Sequence, residues 1–83
     1  RFKNAKKIHF IGIGGIGVSA MARMALSEEK KVTGSNLSNS DITKELKKLG
    51  ANIYIGHKET NLELGTDLVI YSPAIPFDNP ELK

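Results

Sequence analysis

Apolar residues in this chain fall into short continuous runs and into stripes at helical spacing, and the two patterns alternate. Lys7–Ile11 is a β-branched and aromatic run closed by Gly12, the pattern of a buried strand. Val18, Met21, Ala22 and Ala25 recur at helical spacing, which predicts a helix from Ile16 to about Ser27, with Met21 and Met24 as core packing. Lys31–Thr33 reads as a brief second strand ending at Gly34. Ser35–Ser40 reads as a polar loop in which Ser38 and Asp41 form an S-x-x-D capping box. Ile42, Leu46 and Leu49 supply the apolar face of the next helix, and Gly50 stops it. Asn52–Ile55 predicts a third strand and Asp67–Tyr71 a fourth. Residues 56–66 leave room for one helical turn at most, and Ser72–Asn79 is a proline-marked loop.

Strands alternating with helices imply an α/β fold: a Rossmann-like, three-layer parallel sheet, doubly wound with helices on both faces. The 83 residues, 40% hydrophobic and 25% charged, suit one domain with a small core. No apolar stretch approaches the roughly 18 residues of a membrane span. The basic start precedes a glycine-broken run with no cleavage pattern, so it is not a signal peptide. The absence of cysteine excludes a disulfide scaffold, a zinc ribbon and a thiol nucleophile. Asp78–Lys83 reads as the start of a helix, with Asn79 as N-cap and Pro80 in its first turn, so a longer protein is expected, of which these residues are a fragment.

The net charge of +3 changes this picture little. Arg1, Lys3, Lys6 and Lys7 hold four of the twelve basic residues, and the rest of the chain has eight basic residues against nine acidic ones. The basicity belongs to a leading stretch and not to a folded face, which argues against nucleic-acid binding. Lys44, Lys47 and Lys48 read as the solvated side of a helix.

Candidate chemistry centres on Gly12-Ile-Gly14-Gly15-Ile-Gly17, a G-x-G-x-x-G at the turn from first strand to first helix. There Gly12 permits the tight turn, Gly14 lets a phosphate approach the backbone, and Gly17 lets the helix pack close to the strand. Free N–H groups and the positive end of the helix dipole would stabilise an anion. A dinucleotide site would place Asp or Glu about 20 residues further on to hold a ribose diol. Asn36 stands there, after Ser35, so a nucleoside diphosphate fits better than NAD, although an NAD-binding dehydrogenase or sensor domain remains the alternative. Asn36 and Ser35 serve equally well as turn residues. Ser72–Ile75 lies past the fourth strand, where open α/β sheets hold ligands, and also works as a plain connection. His57 ends the third strand on the same edge, whereas His9, within the first strand, is a structural residue. There is no G-x-x-x-x-G-K-[ST], no nucleophile triad and no paired-carboxylate motif, so the chain reads as a binding module without catalytic residues of its own.

The run from His9 to Met21 resembles the opening of the Mur ligases, specifically their alanine-adding members. The likeness continues through Val32–Asn36, Leu49–Ala51, Ile55–His57, Asp67–Ile75 and Asn79–Glu81, nearly the whole chain in order. The resemblance implies residues 1–83 are the N-terminal, UDP-binding domain of a three-domain cytoplasmic bacterial ligase of peptidoglycan synthesis. Its partners would be UDP-N-acetylmuramic acid, L-alanine and ATP with Mg²⁺, the last two bound by later domains. It further implies that Gly14, Gly15, Ile16 and Gly17 offer N–H groups to the diphosphate. Ser35 and Asn36 would lie near the uridine, with Ser72, Ala74 and Ile75 on the facing loop and His57 matching the family's Gly-His pair. Asn36 stands where many members have Asp. The tripeptide-adding members carry a Cys in this loop and this chain has none, which favours the alanine-adding ones.

Overall fold

The computed structural model describes residues 2–82; Arg1 of the basic leading stretch lies outside them. Four strands, β1 (Lys7–Ile11), β2 (Lys31–Asn36), β3 (Asn52–Ile55) and β4 (Leu68–Tyr71), form one sheet in the order β3-β2-β1-β4, parallel throughout. Helix α1 (Ile16–Ser27) joins β1 to β2, helix α2 (Asp41–Lys48) joins β2 to β3, and a single 3₁₀ turn (Glu59–Asn61) lies between β3 and β4.

The handedness of the crossovers decides which face each connection covers. The steps β1 to β2 and β2 to β3 run the same way along the sheet, so right-handed crossovers put α1 and α2 on one face. The step from β3 to β4 runs back past two strands and crosses the opposite face. Register agrees with this division. Ile8 pairs with Val32 and Leu68, and these residues point at the helices. Ile8, Phe10 and Val32 pack there with Val18, Ala22, Ala25 and Leu46 in the apolar core. On the other face His9 pairs with Thr33 and Val69, and Ile11 pairs with Ser35 and Tyr71. That face is covered by the 3₁₀ turn and by the segment ending in Glu81, where Glu81 meets His9, Ser35 and Asn61 while His9 is bonded to Thr33. The α/β order anticipated from the sequence is present, with α-helices on one face and this thinner layer on the other.

Several details differ from the sequence expectation. Strand β2 runs on through Gly34 to Asn36, because Ser35 and Asn36 pair with Tyr54 and Ile55 of β3. Gly34 does not stop the strand: a Cβ there would lie 2.4 Å from Ile13 Cδ1, so the glycine makes room for Ile13. The capping box of α2 is Ser40 with Thr43, each side chain accepting from the other's backbone N–H, at 3.2 and 2.9 Å. Ser38 instead accepts the Asn36 amide on its carbonyl. Leu46 is buried but Leu49 is 53% exposed, and Met21 and Met24 also lie on the outside of α1. Gly50, at φ +115°, ends α2 in the left-handed conformation expected of it. Asn79 caps the turn that follows it: its Oδ1 accepts from the N–H of Glu81 at 2.9 Å.

Candidate functional site

The chain leaves β1 for β2 and β3 on one side, and returns to β4 on the other, so the sheet switches direction between β1 and β4. Ligands of open α/β sheets sit at the carboxyl ends of the strands at such a point. The loop Gly12–Gly15 and the start of α1 form one wall here, and the loop after β4 forms the other. The two walls touch, since the Cβ position of Gly12 lies 3.2 Å from Ile75 Cδ1.

Gly12 turns the chain at φ +75°, a conformation that favours glycine. Its N–H and that of Ile13 both donate to the carbonyl of Ser35, at 2.8 and 2.9 Å, which ties the loop to the end of β2. The Gly15 N–H donates to Gly12, while the Gly14 N–H reaches Asn36 Oδ1 at a long 3.3 Å. Gly15 is the N-cap of α1 and supplies no side-chain cap, and the first N–H bonded inside the helix is that of Ser19. The N–H groups of Ile16, Gly17 and Val18 therefore have no partner among the described residues, and they point along the positive end of a twelve-residue helix with no acidic residue in its first turn. Gly15, Ile16 and Gly17 are exposed. Of the four residues expected to hold a diphosphate, Ile16 and Gly17 have free donors, Gly14 has one loosely engaged, and Gly15 has one already used. Val18, at the third helical position, was missed by the sequence reading, although helix geometry alone leaves its N–H unpaired.

Two of the glycines have other reasons than those read from the motif. A Cβ on Gly17 would meet nothing within 4 Å, so the glycine that allows close packing is Gly34. A Cβ on Gly14 would lie 2.8 Å from the Asn36 amide, which occupies the space above the loop.

The remaining expected residues divide by depth. Asn36 is half-buried at the end of β2 and next to His57, because the Gly56 N–H donates to the Asn36 carbonyl at 2.7 Å. Ser72 accepts the Ala74 N–H in a tight turn, leaving Ala74 exposed and Ile75 half-buried toward the glycine loop. Ser35, by contrast, is fully buried on the second face, where its hydroxyl donates to Glu81 at 2.6 Å and lies 2.9 Å from His57 Nδ1. It reaches the crevice through its carbonyl and through His57.

Behind the crevice lies a group the motifs did not flag. Glu81 is buried and collects hydrogen bonds from Ser35, His9, Asn61 and the Lys58 N–H. Burial opposes its ionisation, but the bonds from Ser35, His9, Asn61 and Lys58 outweigh it and hold the carboxyl below the usual carboxylate range. Its partners stand up to 72 residues away in sequence. A separate concavity of about 740 Å³ opens at the amino end of the strands between Lys3, Lys6, Glu28, Lys31 and Asp67, and gathers none of the expected site residues.

Comparison with known proteins bears on the family and the fold. Residues 7–83 match the family model described as "Mur ligase family, catalytic domain". UDP-N-acetylmuramate–L-alanine ligase of Clostridium novyi (strain NT) is 54% identical over 79 residues, 95% of this chain and 17% of that protein. The corresponding ligase of Clostridium perfringens (strain 13 / Type A) is 52% identical over 93% of this chain, again 17% of the relative. The chain thus spans about a sixth of the length of these relatives. Among solved structures, the murein peptide ligase of Psychrobacter arcticus 273-4 is 28% identical with a TM-score of 0.79, over 86% of this chain and 15% of that one. The UDP-N-acetylmuramate:L-alanyl-γ-D-glutamyl-meso-diaminopimelate ligase from Neisseria meningitides shares the fold, with a TM-score of 0.78 at 24% identity, over 93% of this chain and 24% of that one. On the sequence, the fold and the family match together, the chain belongs to the Mur ligase family.

Proposed function

We propose that this chain is the UDP-N-acetylmuramic acid-binding domain of a longer, three-domain ligase that joins L-alanine to that substrate in peptidoglycan synthesis. The observation that carries the proposal is the set of unpaired N–H groups at Ile16, Gly17 and Val18, set at the switch between β1 and β4. Relatives 50–54% identical over nearly all of the chain are named for this substrate, which supports the ligase reading over the NAD-binding alternative.

The diphosphate would lie across the start of α1, where backbone donors and roughly half a unit of positive dipole charge stabilise it. Loop residues Gly12–Gly17 carry no cation, so the backbone supplies the whole of the local attraction. Gly14 would add its N–H once a ligand oxygen replaces Asn36 Oδ1. Gly15 shapes the approach. The uridine would extend toward Asn36 and His57 over the backbone of Ser35, with Ser72, Ala74 and Ile75 as the facing wall.

The family's ATP and Mg²⁺ would activate the muramic acid carboxylate for attack by the alanine amine. The residues here do not fit that site: no three His, Asp or Glu side chains gather as ligands among the described residues, and the glycine loop lacks the Lys-Ser/Thr of a triphosphate loop. The proposal therefore gives this chain substrate binding without turnover on its own. It also puts the protein in the bacterial cytoplasm, in keeping with its bacterial relatives; no helix here is long and apolar enough to cross a membrane, among the described residues.

Ile16→Pro tests the donor set with little disturbance. Proline suits the first helical position, Gly15 is already extended at φ −67° and ψ 151°, and the Ile16 side chain is 87% exposed. An amide-resolved NMR titration with UDP-N-acetylmuramic acid should shift Gly14–Val18, Asn36, His57 and Ser72–Ile75. In the variant, binding should weaken by about tenfold with the fold retained. Stronger shifts with NAD, or unchanged binding by folded Ile16→Pro, would overturn the placement.

A further inference from the structure

Glu81 does more than fill the second face. Two of its neighbours have a fixed hydrogen-bonding sense, and from these the senses of the others follow in a chain that ends at the crevice. Its Oε2 receives the Lys58 N–H at 2.9 Å and Asn61 Nδ2 at 2.8 Å. A peptide N–H only donates, and Asn61 Nδ2 also donates to the Gly56 carbonyl, so neither partner can reverse. Its Oε1 receives the single hydroxyl proton of Ser35 at 2.6 Å and lies 2.7 Å from His9 Nε2. With its proton committed, Ser35 Oγ can only accept from His57 Nδ1, 2.9 Å away. Glu81 Oε2, 3.4 Å from the same nitrogen, favours the same proton position. His57 Nε2 has no hydrogen bond among the described residues, and its ring is partly exposed at the carboxyl edge of the sheet.

We propose that Glu81 is a positioning residue that, through the hydroxyl of Ser35, holds neutral His57 as its Nδ1–H tautomer and presents Nε2 to the crevice as a hydrogen-bond acceptor. Free histidine prefers the opposite tautomer, so the arrangement is imposed by the protein. The consequence for the ligand rests on the function proposed above. A bare Nε2 accepts from a ribose hydroxyl or a base N–H and disfavours a phosphate oxygen, so His57 reads the nucleoside end of the substrate.

Long-range ¹H–¹⁵N NMR of the imidazoles, at about pH 8.5 where free histidine is neutral, reads the proton position in this chain with no ligand present. His57 should carry its proton on Nδ1, and His9, whose Nε2 faces only the carboxylate, should carry one on Nε2. Glu81→Gln then tests the cause. Its amide nitrogen cannot face Lys58 N–H and Asn61, so it faces Ser35 and His9. Ser35 must accept, its proton turns to His57 Nδ1, and the ring proton moves to Nε2, because the 2.9 Å contact outweighs the 3.4 Å one. Reversal of the His57 tautomer in the folded variant is the expected result. A native His57 protonated on Nε2, or an unreversed ring in folded Glu81→Gln, overturns the proposal. Should the variant fail to fold, the native tautomer decides alone. Failure of the substrate to bind would count against the proposed function and leave this result intact.

Discussion

The two faces of the sheet are built on opposite terms. Toward the helices, Ile8, Phe10 and Val32 meet Val18, Ala22, Ala25 and Leu46 in one apolar cluster. Toward the link and the final turn, His9, Thr33, Ser35, Asn61 and Glu81 are just as buried but are joined by hydrogen bonds. The first face works by area removed from water, which is tolerant of direction. The second works by matched donors and acceptors, where one wrong group leaves others unsatisfied. No buried side-chain nitrogen or oxygen lacks a partner among the described residues. The apolar face holds the sheet to its helices, and the polar face fixes what stands at the crevice.

The comparison breaks most forcefully on the apolar side. Phe10→Ala removes a fully buried ring and should cost about 3–5 kcal/mol in urea denaturation, an effect nearly independent of pH. A loss below about 1 kcal/mol would mean that the helical face is not the main support.

Next comes the polar face. Glu81→Gln should cost about 1.5–3 kcal/mol at neutral pH, through the lost charge-assisted bonds. The native carboxyl titrates below its unfolded value, so its contribution is complete above the ordinary Glu range near 4.3 and is lost as pH falls through the lower native value. Stability measured against pH should therefore fall less steeply on the acid side in Glu81→Gln than in the native chain. Parallel acid limbs would mean that Glu81 is not ionised in the fold.

The smallest effects sharpen the contrast between two glycines. Gly34→Ala forces a Cβ into Ile13 and should cost about 1–3 kcal/mol. Gly17→Ala enters open space in a helix and should be neutral or stabilising by up to about 1 kcal/mol. Equal thermal shifts for the two would remove the distinction.

Much of this was legible along the chain. The bounds of β1, α1 and β3 follow from local runs and stripes, and Gly12 and Gly50 adopt the backbone their positions suggested. Errors arose where a local signal met a distant partner. Gly34 reads as a strand end until Ile13 is placed against it, and the S-x-x-D at Ser38 is as plausible as the box at Ser40 until Asn36 takes the Ser38 carbonyl. The glycine loop reads as a candidate phosphate cradle from sequence alone because its free donors lie in the backbone of one short segment. The run Lys31–Thr33 stops three residues short of the end of β2, which hides the buried face that the Ser35 side chain takes. Glu81 belongs to a segment that carries the family likeness, but a lone acid beside a proline says nothing of partners in β1, β2 and the 3₁₀ turn.

The same long reach of Glu81 bears on the order in which the molecule assembles. Contacts between β1, α1 and β2 close loops of some two dozen residues, whereas joining Glu81 to His9 closes one of 72. The entropy of closure rises with loop length, so the helical half gains its contacts earlier and the polar face is sealed afterwards by the segment that carries Glu81. During synthesis from the amino end, Ser35 and His57 wait at the carboxyl ends of β2 and β3 without their acceptor until the chain beyond residue 80 has emerged. The crevice thus acquires its defined proton pattern after the apolar core beneath it is in place.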